Sequence, residues 1–157
     1  MRGGQSSIEY LFIVAAALVM VLLVIHVLKG ATESVPQYHE VVISYVNYNP
    51  PGNDLEGEGE YVVIENIGIS DVDMTGWQLR DAADHTYTFP NGFVLKAGAE
   101  VRVHTGSGTD TETDLYWGRR QAVWNNNGDT AYLYDAEGNL VDKCSWTGKE
   151  GGSVSCH

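Results

Sequence analysis

Tyr10 to Ile25 is a run of sixteen residues with no charge and no polar group beyond the Tyr10 hydroxyl, and one carboxylate, Glu9, stands immediately before it. Such a run leaves a chain few fates, because a helix apolar on every side must be covered by lipid or by other helices. Ile8 to Leu28 is 21 residues, which at about 1.5 Å per residue reaches roughly 31 Å, the thickness of a bilayer core. Ala15, Ala16 and Ala17 form a small-residue patch at its middle, where another helix can approach closely. A secretory signal would be followed by a small-residue cleavage site. Here the run ends in His26-Val27-Leu28-Lys29-Gly30 and passes into a Pro-containing linker without an A-x-A-like site. The helix is therefore expected to be kept. It is either a membrane anchor with Glu9 in the headgroup layer or a helix that packs against copies of itself.

The residues ahead of the run narrow that choice. Gly3-Gly4-Gln5-Ser6-Ser7-Ile8-Glu9 resembles the class III signal peptide of archaeal type IV prepilins, whose cleavage region reads Q-x-S-x-E-x-x-x-L, with Ile13 here in place of the Leu. The resemblance implies that prepilin peptidase cuts between Gly4 and Gln5 and removes residues 1–4. It also implies that Gln5, Ser7 and Glu9 open a helix, residues 5–32, that packs in a filament core, the Glu9 carboxylate pairing with the amino terminus of a neighbouring subunit. Partners follow in the same way: self in a helical homopolymer, an assembly ATPase and a membrane platform protein, and the cytoplasmic membrane before assembly. Paired glycines suit a site where extended backbone enters a protease cleft. Arg2 would hold the leader on the cytoplasmic side.

Beyond a linker at residues 33–39, the pattern changes from one continuous apolar run to short alternating segments, with room for one domain. Val41 to Val46, Tyr61 to Asn66, Thr86 to Phe89, Val101 to His104, Ala131 to Tyr134 and Leu140 to Asp142 read as strands. Turn signals separate them, among them Pro50-Pro51-Gly52-Asn53, Pro90-Asn91-Gly92, Asn126-Asn127-Gly128-Asp129 and Asp135-Ala136-Glu137-Gly138-Asn139. Tyr134 to Leu140 reads as a hairpin turn. Seven to nine such strands predict an antiparallel β-sandwich over residues 40–147, and residues 148–157 read as a C-terminal tail. The fold class is thus α+β, a long N-terminal hydrophobic helix followed by an immunoglobulin-like antiparallel β-sandwich. From Glu40 onward there are 19 acidic residues against 7 basic ones, which argues against binding of nucleic acid or anionic lipid by the outer domain, because a phosphate backbone would be repelled.

The same segments resemble the lamin tail domain, an immunoglobulin-like sandwich. The likeness rests on Glu60 to Asn66, Asp71 to Asp81, Thr86 to Pro90, His104 to Gly108, Trp117-Gly118, Val123 to Asn126 and Gly128 to Asp135, in family order. It implies a non-enzymatic module with Trp77, Leu79, Phe89, Val101, Trp124, Ala131 and Leu133 in the core.

No catalytic constellation or cofactor motif appears. His39, His85 and His104 stand without a G-x-S-x-G elbow or an H-E-x-x-H helix, and Gly106-Ser107-Gly108 lacks phosphate-loop spacing. Two acidic strings are weak candidates for calcium. Asp71-x-Asp73-x-Thr75-Gly76 imitates half of an EF-hand loop but has Ala82 at the twelfth position, and Asp110-x-Glu112-x-Asp114 lacks the turn glycine. Cys144 and Cys156, the only cysteines, are expected to form a disulfide outside the cell. Taken together, the sequence predicts a subunit of an extracellular filament, or failing that a single-pass anchored or minor-pilin surface module.

Overall fold

The computed structural model describes residues 6–30, 40–57 and 59–157. The chain forms two compact units, Met1–Tyr38 and His39–His157. Gly4 and Gln5 of the expected processing site and the 33–39 linker lie outside the described residues, as does His39.

The first unit contains helix α1 (Ser7–Gly30). Its start is fixed by a reciprocal pair: the Glu9 amide donates to Ser6 Oγ at 3.4 Å and the Ser6 amide donates to Glu9 Oε2 at 3.1 Å. That is a capping box, two otherwise orphaned donors of the first turn satisfied by each other's side chains. The cap is Ser6, and Ser7, which carries the serine of the Q-x-S-x-E resemblance, opens the helix. Along the helix the large apolar side chains are exposed from 39% at Val14 to 73% at Phe12. Among the described side chains of the helix, residues 7–24, none is buried. Ser7–Val24 is long and apolar enough to cross a membrane by length and composition, a test that a signal sequence near an N-terminus also passes.

The second unit is a sandwich. Its strands are β1 (Val41–Asn47), β2 (Tyr61–Asn66), β3 (Val72–Asp73), β4 (Gln78–Arg80), β5 (Thr86–Thr88), β6 (Val94–Leu95), β7 (Glu100–His104), β8 (Asp114–Tyr116), β9 (Asp129–Tyr134), β10 (Leu140–Trp146) and β11 (Ser153–Ser155). One sheet runs β11-β1-β2-β7-β8, the facing sheet β10-β9-β4-β5, and β3-β6 form a small ribbon. All pairs are antiparallel except β7 with β8, which is parallel. The alternation seen in the sequence is the alternation of burial: in β9, Ala131 and Leu133 point inward while Thr130, Tyr132 and Tyr134 do not. In β1 a register shift between Ile43 and Tyr45 interrupts it, so the strand keeps Val41, Ile43 and Val46 inside despite unequal spacing.

Between the sheets, Ile43, Val62, Ile64, Val101, Val103 and Leu115 meet Leu79, Ala131, Leu133 and Trp146 in one apolar core. Each large aliphatic side chain so buried contributes about 1.5–3 kcal/mol. Trp77, Leu79, Phe89, Val101, Trp124, Ala131 and Leu133 are all 3% exposed or less. The hairpin at Tyr134 to Leu140 joins β9 to β10, with a register shift between Leu140 and Asp142 that sets Asp142, not Val141, opposite Leu133.

The tail expected at residues 148–157 requires correction. It supplies β11, an edge strand whose Ser155, Val154 and Ser153 pair with Tyr45, Val46 and Asn47. Two things seat it: Tyr48 and Asn49 amides both donate to the Gly152 carbonyl at 2.9 Å, and Cys156 is joined to Cys144 of β10. The disulfide thus links an edge strand of one sheet to a strand of the other, closing the sandwich along that side.

Candidate functional site

The strand registers define the two ends of the sandwich. Chain enters β1 at Val41, opposite Asn66. At the far end, Asn47 pairs with Tyr61, Tyr61 with His104, and His104 with Tyr116, one row across four strands. The loops that meet beyond this row enclose a cavity of about 340 Å³ lined by Asp54, Leu55, Glu56, Glu60, His104 and Tyr116, with Ser107 and glycines completing its wall.

Glu60 ties three segments together there. Its amide donates to the Asp54 carbonyl at 2.7 Å, and its carbonyl accepts from the Thr105 amide at 3.0 Å. Its Oε2 accepts from the Val123 amide at 2.9 Å and the Trp124 amide at 3.5 Å. The loop around residue 55 can lie this close because position 106 is Gly: a Cβ there would strike the Leu55 carbonyl. Glu60 is 1% exposed, and burial pushes its carboxyl up to about 7 from 4.5, against the pull of the Val123 amide, the nearby Thr105 hydroxyl and the Trp124 amide. Glu60 Oε1 and Thr105 Oγ1 are both buried, and the Thr105 hydroxyl donates toward the carboxyl.

An aromatic wall flanks the acid. The His104 and Tyr116 rings stack at 4.8 Å and 14°, and Tyr61 lies tilted 5.6 Å from His104 on the other side. His104 Nε2 is 2.9 Å from Asp114 Oδ1, and this bond holds the Asp114 carboxyl below its ordinary range, helped by the Thr113 hydroxyl. The close fit extends to position 108, where a Cβ would fall on the Tyr116 ring. Gly108→Ala is accordingly expected to cost about 1–2 kcal/mol by overpacking and to unstack Tyr116 from His104. NMR shifts of the Tyr116 ring report this directly; an unchanged ring environment would contradict the placement.

The candidate calcium ligands are dispersed, and all but Glu112 are engaged in hydrogen bonds within the sandwich. Asp71 takes Lys96 Nζ at 2.8 Å and the Ala97 amide at 3.0 Å, and the Lys96 bond keeps its carboxyl low. Asp73 Oδ1 accepts from the Thr75 amide and hydroxyl. Asp110 accepts from the Tyr116 amide, Asp114 is committed to His104 and Thr113, and Glu112 is exposed. Among the described residues no three of His, Cys, Asp and Glu are grouped to hold a metal ion. Of the remaining histidines, His85 bonds Asp81 through Nδ1 at 2.6 Å, beside a turn at Asp84 in the left-handed region (φ 64°). Aspartate tolerates that region better than most residues.

Sequence reasoning did not assemble the pocket. Asp54 and Glu56 carry no signal in the sequence, Gly106-Ser107-Gly108 reads only as lacking phosphate-loop spacing, and Glu60 enters only as the first residue of the Glu60 to Asn66 segment. The available signal was an acid set directly between Gly59 and the apolar strand Tyr61 to Ile64, where its backbone cannot avoid the core. Compared with known families, the chain matches the family model described as Lamin Tail Domain over residues 34–148.

Proposed function

The chain belongs to the lamin tail domain family, and from that premise we propose that the sandwich is the outward, non-catalytic part of a subunit of an extracellular archaeal type IV pilus-like filament, with α1 packed in the core. One observation carries the reading. The Ser6–Glu9 capping box starts the helix on the carboxyl side of the Gly4–Gln5 bond. Cleavage at that bond would release a helix already capped, with a new amine one residue before the cap. The uncovered apolar surface of α1 supports the same reading, because neighbouring helices would bury it at about 25 cal/mol per Å² relative to water. Before assembly the same surface would sit in the cytoplasmic membrane, and prepilin peptidase, an assembly ATPase and a platform protein would act on it there. Adhesion by the exposed sandwich follows as a role for the mature filament.

The alternative is a single-pass anchored surface module or a minor pilin, for which the same helix only tethers or initiates. Purified cell-surface filaments analysed by electron microscopy and mass spectrometry distinguish these. The expected result is abundant subunit in the filaments with a mature N-terminus at Gln5. A protein found only in the membrane fraction, with residues 1–4 intact, would overturn the filament reading and leave the anchor.

A further inference from the structure

We infer that the outer faces of the two sheets are the two halves of one contact between copies of this chain, in which Arg80 and Lys143, beside Tyr132 and Tyr134, of one copy meet Glu65 and Glu100 of the next. The inference concerns the second unit alone and holds for an anchored module as for a filament subunit.

The two faces carry opposite charge. From Glu40 onward, acids outnumber bases 19 to 7, yet on the sheet β10-β9-β4-β5 the strand residues that alternate with the core include no Asp or Glu. The charged residues of that face are Arg80 and Lys143, both opposite Tyr132 in one row across three strands. Asp142 of β10 turns the other way, accepting from the Ile43 amide at 2.7 Å. Asp84, in the turn at the rim, comes no nearer to Arg80 than 4.0 Å.

On the other sheet, Glu65 and Glu100 stand directly opposite each other across β2 and β7, and neither is buried. Like charges so placed in a sheet repel. Arg102 lies 3.9 Å from Glu100, with its guanidinium also over the Tyr61 ring; among the described residues Glu65 has no ion pair. A cation from outside relieves this pair, and the opposite face of another copy supplies two. The absence of a grouped set of three metal-ligating side chains among the described residues favours those cations over a divalent ion.

The basic face is held in place before any contact. Arg80 Nε and Nη2 both donate to Gln78 Oε1, the guanidinium lies 4.9 Å from the centre of the Tyr134 ring, and Tyr134 stacks with Tyr132 at 6.3 Å and 27°. Side chains already fixed lose little freedom on docking, and Tyr and Arg are enriched at interface cores. Because the faces of a sandwich point in opposite directions, the contact is heterologous: a copy that receives a neighbour on one face offers the other to a further copy. Exposed ion pairs are individually weak, so the contact gains strength where copies are already held together.

The test uses the full chain in nonionic detergent at low salt. Carbodiimide, which joins a lysine amine to a carboxylate it pairs with, is applied to an equal mixture of ¹⁴N and ¹⁵N chains; mixed-isotope peptides joining Lys143 to Glu65 or Glu100 are expected. Sedimentation velocity then compares a chain carrying Arg80→Glu and Lys143→Glu with one carrying Glu65→Lys and Glu100→Lys. Each alone should self-associate about tenfold more weakly than the native chain, or worse, because like charges meet, and their equimolar mixture should recover. Association through α1 would survive these changes and high salt, so a failure here leaves the filament reading standing. The inference is overturned if the reversed chains associate as the native chain does, if mixing gives no recovery, if Lys143 crosslinks only to other carboxylates, or if the native chain associates only with calcium present. Should the reversed chains fail to fold, the crosslinks decide.

Discussion

Glu60→Gln is expected to stabilise the sandwich at pH 8, by up to about 3 kcal/mol, and to leave it nearly unchanged at pH 4. The magnitude comes from the carboxyl's rise from 4.5 to about 7 on folding, at about 1.36 kcal/mol per pKa unit. Below pH 4.5 the acid is protonated in both folded and unfolded chains, and its titration contributes nothing. Between pH 4.5 and about 7 the unfolded chain releases the proton while the folded one keeps it, so stability falls as pH rises. Above about 7 the folded protein holds a buried carboxylate and the penalty is complete. Glutamine keeps the carbonyl oxygen that accepts from Val123 and Trp124, and turns an amide donor toward the Thr105 hydroxyl, whose oxygen can accept it. Denaturant unfolding followed by fluorescence reads the difference, since Trp77, Trp117, Trp124 and Trp146 all lie in the second unit. A difference between variant and native protein that does not change between pH 4 and pH 8 would refute the assignment.

The sandwich was legible in the sequence wherever one face of a strand is apolar. Ala131 and Leu133 alternate with Thr130, Tyr132 and Tyr134 because one set enters the core, and that period of two is visible without coordinates. Where pairing does not depend on a buried face, the sequence is silent. Ser153–Ser155 follows two glycines and has no apolar alternation, so it reads as a tail; its strand conformation comes from the Gly152 carbonyl and the Cys144–Cys156 bond, both contacts distant in sequence. Asp114–Tyr116 reads as an acidic loop for a related reason. Only Leu115 of its three residues is buried, and its partner β7 runs parallel to it, which no local hairpin signal announces.

The pocket was hidden by a different cause. Its acids and rings come from three separated stretches, 54–60, 104–107 and Tyr116, each an ordinary turn or strand end taken alone. What brings them together is the register Tyr61 to His104 to Tyr116, and register is a property of pairing, not of any one segment. The helix was the opposite case. Its length and apolar character were plain, but the role of Glu9 was only half visible, because the motif that flags it also contains Ser6 and Ser7, and only geometry distinguishes the cap from its neighbour.

That distinction decides how Glu9 should be tested. Replacement by Ala removes the carboxylate and the capping box together, so a loss of assembly would have two explanations. Replacement by Gln separates them: Gln at the third helical position still reaches back to the Ser6 amide, while the charge that would pair with a neighbour's freed amine is gone. If α1 packs in a filament core as proposed, Glu9→Gln leaves helicity and membrane insertion intact but leaves that amine unpaired among apolar side chains. Breaking a buried pair in this way costs about 3–5 kcal/mol, which corresponds to a subunit-addition constant lower by more than about a hundredfold. Filaments should therefore be absent from the cell surface, with the protein accumulating in the membrane. A plain anchor would show no difference between Glu9→Gln and the native chain. If Glu9→Gln assembles normally and only Glu9→Ala fails, the carboxylate serves as a cap and the charge pairing is refuted. Ser6→Ala, expected to weaken the cap by about 1 kcal/mol while keeping Glu9, supplies the converse control: filaments should still form.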